Sequence, residues 1–154
     1  MKLALIYDDR VRSDTTGTHC LRALRELPGI DVQHFGPQEL ERIPAGGFDF
    51  YLHIDDGLQY RLPDYLHPCA WWVIDTHMTY EWDRLKAQDF DHVFAAQRDG
   101  AQWLIEDGVE GTQWLPLACS PSVHRRHEVE KVHDVCFIGN LVHGGRQRLV
   151  DLLR

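Results

Sequence analysis

Three short acidic segments each follow an apolar run. Asp8 and Asp9 come after Leu3-Ala4-Leu5-Ile6-Tyr7, Asp55 and Asp56 after the run ending His53-Ile54, and Asp75-Thr76-His77 after Trp71-Trp72-Val73-Ile74. Carboxylates and an imidazole gathered on one rim suit general-base catalysis or the orientation of a hydroxyl nucleophile. An aspartate at a strand end also serves more simply as a cap for the helix that follows. The polar loop that begins at Asp8 runs to Thr15, Thr16 and Gly17. A helix starting there would offer exposed N–H groups to an anion or a sugar hydroxyl. A second segment, Gly139-Asn140-Leu141-Val142-His143-Gly144-Gly145-Arg146, combines glycines, a helix start and a cation. That combination allows close backbone approach to a phosphate. Cys119, His124, His127 and His133 are metal-ligand types, but their spacing fits no zinc pattern and no metal site is expected.

Alternating strands and helices are needed to bring such residues together. Apolar, β-branched or aromatic runs predict strands at about 2–7, 30–35, 48–54, 69–75, 90–95 and 112–117. Between them, Cys20, Leu21, Leu24 and Leu27 fall at helical spacing over 18–27, and Pro28-Gly29 stops the pattern. Shorter helices are predicted at 37–43, 79–86 and 99–106, the last ended by Gly108. This is the alternation of an α/β protein with a doubly wound parallel sheet, in which ligands gather at the carboxyl ends of the strands. The neighbours Trp71 and Trp72 must point to opposite faces of their strand, into the packing on either side.

The pattern changes after Leu117. Residues 1–119 are expected to form the domain and 120–131, with the run His124-Arg125-Arg126-His127-Glu128, a linker. Residues 132–154 are expected to begin a second domain, with a strand at 133–140 and an amphipathic helix carrying Leu149, Val150, Leu152 and Leu153 from Arg146 onward. The chain is acidic, with 16 Lys and Arg against 24 Asp and Glu for a net charge of −8, which argues against a nucleic-acid partner. No apolar run has the length of a membrane span, and the stretch after Lys2 is too short for a secretory signal. Cys20, Cys69, Cys119 and Cys136 are widely spaced, as expected of reduced core thiols in the cytoplasm.

Five segments together carry a family resemblance: Leu5-Ile6-Tyr7-Asp8-Asp9-Arg10, Trp71 to His77, Val93-Phe94-Ala95-Ala96-Gln97, Trp114-Leu115-Pro116-Leu117-Ala118-Cys119 and Asp134-Val135-Cys136-Phe137-Ile138-Gly139-Asn140. With these the chain resembles the N-terminal half of the spore-maturation-protein-like (CgeB-type) glycosyltransferases, two-domain enzymes of the GT-B group. The resemblance implies two Rossmann-like domains facing a cleft, with the acceptor mainly on the first and a nucleotide-sugar donor, as co-substrate, mainly on the second, and with no further cofactor and no metal. It implies that Asp8, Asp9, Thr16, Gly17, Asp55, Asp56, Asp75 and His77 face the cleft, with His77 beside the transferred sugar and Asp75 as the second catalytic candidate. Gly139, Asn140, Gly144, Gly145 and Arg146 would meet the donor diphosphate. The base stays open among Asp75, His77, Asp55 and Asp56. The family's acidic donor helix would lie beyond Arg154, so the chain as given is expected to transfer little sugar alone, and 134–154 to dock on the domain, swap with a second copy or remain loosely packed.

Two other readings use the same residues. Asp8, Asp9, Asp55 and Thr76 also fit the layout of a phospho-receiver domain, although Ala96-Gln97-Arg98 stands where its lysine would follow the fifth strand. A noncatalytic small-ligand module would likewise use the rim without any transfer chemistry.

Overall fold

A computed structural model describes residues 1–139, 141 and 145–152. The chain divides into two units, Met1–Val123 and His124–Arg154. In the first, β1 (Lys2–Ile6), α1 (Thr16–Glu26), β2 (Asp31–Phe35), β3 (Phe50–Ile54), β4 (Cys69–Val73), α2 (Thr76–Lys86), β5 (His92–Ala95), α3 (Arg98–Glu106) and β6 (Gln113–Trp114) follow one another. The strands form one sheet in the order β2-β1-β3-β4-β5-β6, and every pair is parallel. β1 and β4 are apolar along nearly their whole length because both of their faces are covered. The edge strand β2 instead mixes exposed and half-buried positions.

Helices cover both faces, as the alternation predicts. On one face Leu21 of α1, with Cys20 and Leu24, packs on Leu5, Tyr7, Ile54 and Trp72. On the other, Ala101 and Leu104 of α3 pack with Ala87 on Trp71, Val73, Val93 and Ala95. The two tryptophans therefore enter separate cores. A 3-10 turn at Pro37–Arg42 stands where a short helix is expected and seats Leu40 against Ala4, Ile6 and Tyr51.

Three boundaries differ from expectation for identifiable reasons. β4 ends at Val73 because the next N–H groups, of Ile74 and Asp75, bond to the Asp55 carboxylate. β6 is two residues long, and Pro116, which lacks an N–H, stands just beyond it. α2 begins at Thr76 rather than Thr79, with Thr79 (φ −131°, ψ 28°) as a break between a first turn and the rest.

In the second unit the strand expected at 133–140 is not formed among the described residues. An isolated strand leaves its N–H and C=O groups without a ladder, and Val135 and Ile138 are exposed. The helix there, α4, runs Arg146–Leu152 and buries no residue. Asn140 and Gly144 lie outside the described residues. The cysteines are free, but only Cys69 is buried; Cys20 is half-buried, and Cys119 and Cys136 are exposed, contrary to the expectation of four core thiols. No helix among the described residues is long and apolar enough to cross a membrane.

Gly17 fixes how α1 meets β1. A Cβ at this position would overlap the Tyr7 ring, 2.7 Å from Cδ1 and closer to Cγ and Cδ2. The ring cannot withdraw, because the His34 ring lies tilted against it with centroids 4.0 Å apart and holds the Tyr7 carbonyl through Nε2. Helix propensity favours alanine by about 1 kcal/mol, whereas overpacking costs about 1–3 kcal/mol. Gly17→Ala is thus expected to lower the urea midpoint, and Gly17→Val to lower it further. A midpoint raised by Gly17→Ala would show that the Tyr7 ring moves freely.

Candidate functional site

The strand order reverses at β1 and β3: α1 carries the chain from β1 to β2 on one side, and β3 returns it to the other. Such a switch point leaves a crevice at the carboxyl ends of the two strands. A cleft of about 520 Å³ lies there, lined from the β1 end by Asp8, the β3 end by Asp55 and Asp56, the β4 end by Asp75, and the start of α1 by Thr15 and Thr16. Five carboxylates (Asp14 is the fifth) and a single arginine, Arg12, line it. Such a wall favours hydroxyl groups and cations over phosphate. A smaller depression of about 320 Å³ beside Lys2, Asp31 and Gln33 is at the amino ends of β1 and β2, away from this rim.

Three of the four central carboxylates are already engaged. Asp55 accepts from the N–H of Gly57 through Oδ1 and from Ile74 and Asp75 through Oδ2. Asp56 accepts from the N–H of Asp8 and from Tyr60 Oη through Oδ2, and from Leu58 N–H through Oδ1. Asp8 is buried, takes the Arg10 guanidinium on Oδ1 and Val11 N–H on Oδ2, and the Arg10 bond holds its carboxyl below the usual range. These groups tie β1, β3 and β4 together at their ends. Asp75 is different: it stands at the N-cap position of α2, its carboxylate makes no capping bond, and it lines the cleft exposed. The expected use of strand-end aspartates as helix caps is therefore not what Asp75 does.

The other proposed rim residues are placed elsewhere. Asp9 is exposed and does not line the cleft, with its carboxylate 3.7 Å from His34 Nδ1. Gly17 is covered by Tyr7, as described. His77 is exposed but does not line the cleft, since two residues along a helical turn rotate it about 200° from Asp75. Thr76 is fully buried, its hydroxyl on the Gln97 side chain. Gly139, Gly145 and Arg146 belong to the second unit.

Beneath the cleft lies a polar network that the sequence reading did not single out. Tyr60 Oη is 2.7 Å from Asp56 Oδ2 and 2.9 Å from His53 Nε2. Its one proton goes to the carboxylate, so His53 Nε2 carries a hydrogen and donates, which leaves Nδ1 as the buried atom without a partner. Burial, with Lys86 nearby, holds His53 neutral by pushing its pKa well below the usual value. Lys86 is 2% exposed and its Nζ lies 4.8 Å from the Tyr60 ring centre and 4.7 Å from that of Trp71. Burial lowers its pKa to about 8, against the pull of Asp55, Asp56 and Asp83. Asp83, also 2% exposed, accepts from Thr79 Oγ1, and burial raises its pKa to about 6. The signal was present in α2, where Asp83 and Lys86 stand three residues apart on the inward face.

Chemically, the cleft offers one uncommitted carboxylate held among hydroxyl groups and helix-start N–H groups. That arrangement can orient a hydroxyl and take its proton. Comparison of the chain with protein-family models, with curated proteins and with solved structures found no match.

Proposed function

We propose that Met1–Val123 is the acceptor-side domain of a glycosyltransferase that draws its sugar from a nucleotide-sugar donor. The observation that carries this reading is the acidic cleft at the β1/β3 switch point, with Asp75 uncommitted inside it. In the reaction Asp75 takes the proton of an acceptor hydroxyl as its oxygen bonds to the anomeric carbon, and the nucleoside diphosphate leaves. The other base candidates have less support, since Asp55 and Asp56 hold backbone N–H groups and His77 is outside the cleft. A cleft with one arginine suits the neutral acceptor. The donor diphosphate is assigned to Gly139, Asn140, Gly144, Gly145 and Arg146, with cytoplasmic location and a second copy pairing through 134–154 as further parts of the proposal.

The phospho-receiver alternative has less to rest on. Both Asp55 oxygens are engaged, Asp9 lies by His34 outside the cleft, and the Thr76 hydroxyl is buried against Gln97.

Saturation-transfer NMR with a panel of mono- and disaccharides tests the acceptor assignment. Binding is expected to weaken about tenfold in Asp75→Asn, where a hydrogen bond to a charged acceptor becomes one to a neutral amide oxygen, with stability unchanged. A nucleoside diphosphate that perturbs the amides of Thr16 and Asp75 when no saccharide does would overturn it. Phosphorylation of Asp55 by a small phosphodonor would support the receiver instead.

A further inference from the structure

We propose that His67, Cys69 and Asp91 form a site for a zinc-class divalent cation at the amino ends of β4 and β5, the end of the sheet opposite the acidic cleft. His67 Nδ1, Cys69 Sγ and an Asp91 carboxylate oxygen all lie within 4.8 Å of one another. Thiolate, imidazole and carboxylate are together the donor set of a borderline-soft ion such as Zn²⁺, and three protein ligands leave a fourth position for water.

The geometry is close to what a tetrahedral ion needs. Zinc-ligand bonds of about 2.0–2.3 Å place sulfur and nitrogen ligands about 3.5 Å apart, and Cys69 Sγ is 3.6 Å from His67 Nδ1. His67 Nδ1 and Asp91 Oδ2 are 2.7 Å apart, joined by the hydrogen that the cation would replace. They must open by roughly 0.7 Å to reach the spacing of a shared ion. His67 is able to do so, since its side chain is 45% exposed.

The frame is already built. Asp91 Oδ2 accepts from the Cys69 N–H at 2.7 Å, which fixes the carboxylate relative to the first residue of β4. Cys69 itself is buried at 1% exposure, with its Sγ 3.8 Å from the Asp89 carbonyl oxygen. A depression of about 210 Å³ lies against all three residues and is also lined by Asp64 and Asp89. Those carboxylates add negative charge, part of which Arg61 offsets at 3.4 Å from Asp89. Binding would release the thiol proton to solvent and leave the imidazole hydrogen on Nε2, with no change of oxidation state.

Cobalt(II) titration of the purified chain tests the site, since a cobalt–thiolate bond gives an intense near-ultraviolet band. Cys119 and Cys136 are exposed, so a Cys119→Ser/Cys136→Ser background removes their contribution. In that background one equivalent of cobalt is expected to give the band and to be displaced by zinc. Cys69→Ser abolishes the band. His67→Gln, at an exposed position that folding tolerates, should weaken cobalt at least about tenfold, because a direct ligand is worth no less than an outer-shell partner. A band that survives Cys69→Ser, cobalt bound without a band, or affinity unchanged in His67→Gln would each overturn the proposal.

Discussion

An Asp55→Ala protein is expected to lose about 2–3 kcal/mol of stability, while Asp75→Asn stays within about 0.5 kcal/mol of the parent. The two aspartates stand on the same rim, but Asp55 takes N–H bonds from Gly57, Ile74 and Asp75, and Asp75 caps nothing with its side chain. Truncation at 55 leaves the Ile74 N–H, at the end of a fully buried strand, without its acceptor. Asp55→Asn should recover little, because an amide has one oxygen where the carboxylate uses two, and its NH2 would face a backbone donor. Urea unfolding of the three variants gives the comparison. Equal stability of Asp55→Ala and the parent would mean that water replaces the carboxylate at no cost, and the division of the rim into framework and free groups would fall with it.

A pH series is expected to show two limbs traced to one helix. Asp83 titrates near 6 in the folded chain against 3.8 for an ordinary aspartate, so between these values the folded state holds a proton that the unfolded state has released. Stability therefore falls as pH rises through this window, by at most about 3 kcal/mol. Lys86 titrates near 8 rather than 10.5, so in that interval the unfolded state holds the extra proton. Stability rises with pH there, again by at most about 3 kcal/mol. Between the limbs both groups are ionised and buried, and each offsets part of the other's desolvation. Other groups titrate nearby: burial lowers the His53 pKa, which works against the acid fall over part of the same window, Arg10 lowers the Asp8 pKa at the acid end, and burial raises those of Tyr7 and Tyr80 at the alkaline end. Difference curves isolate the limbs: the parent curve minus that of Lys86→Met should show the alkaline rise, and the parent curve minus that of Asp83→Asn the acid fall. A flat difference curve for Lys86→Met would show that the ammonium reaches water in the folded state.

How far the sequence foretold this arrangement differs between sheet and site. The strands at β1, β3, β4 and β5 were legible because parallel strands covered on both faces are written as unbroken apolar runs, and the aspartates that follow them necessarily fall on the carboxyl rim. Which aspartates are free was not legible. That depends on where a backbone N–H points, and nothing about Asp55 and Asp75 as residue types distinguishes the acceptor of three such bonds from the acceptor of none. His77 was misplaced because a turn of helix, not a strand, carries the chain past Asp75. The strand expected at 133–140 shows a further limit: residue types alone do not supply a neighbouring ladder. The His67, Cys69 and Asp91 group escaped notice because 22 residues separate Cys69 from Asp91 and only the alignment of β4 beside β5 brings them together.

The adjacent indoles of β4 give the molecule two internal witnesses. Trp71 sits among the α3-side residues and beside Lys86, whereas Trp72 sits under the α1 side and donates from Nε1 to the Leu115 carbonyl. With fluorinated tryptophan in place of the native residue, their two resonances come from sites one peptide bond apart yet report on different layers. Denaturation followed at both then asks whether the layers on the two sides of the sheet melt as one cooperative body or in succession.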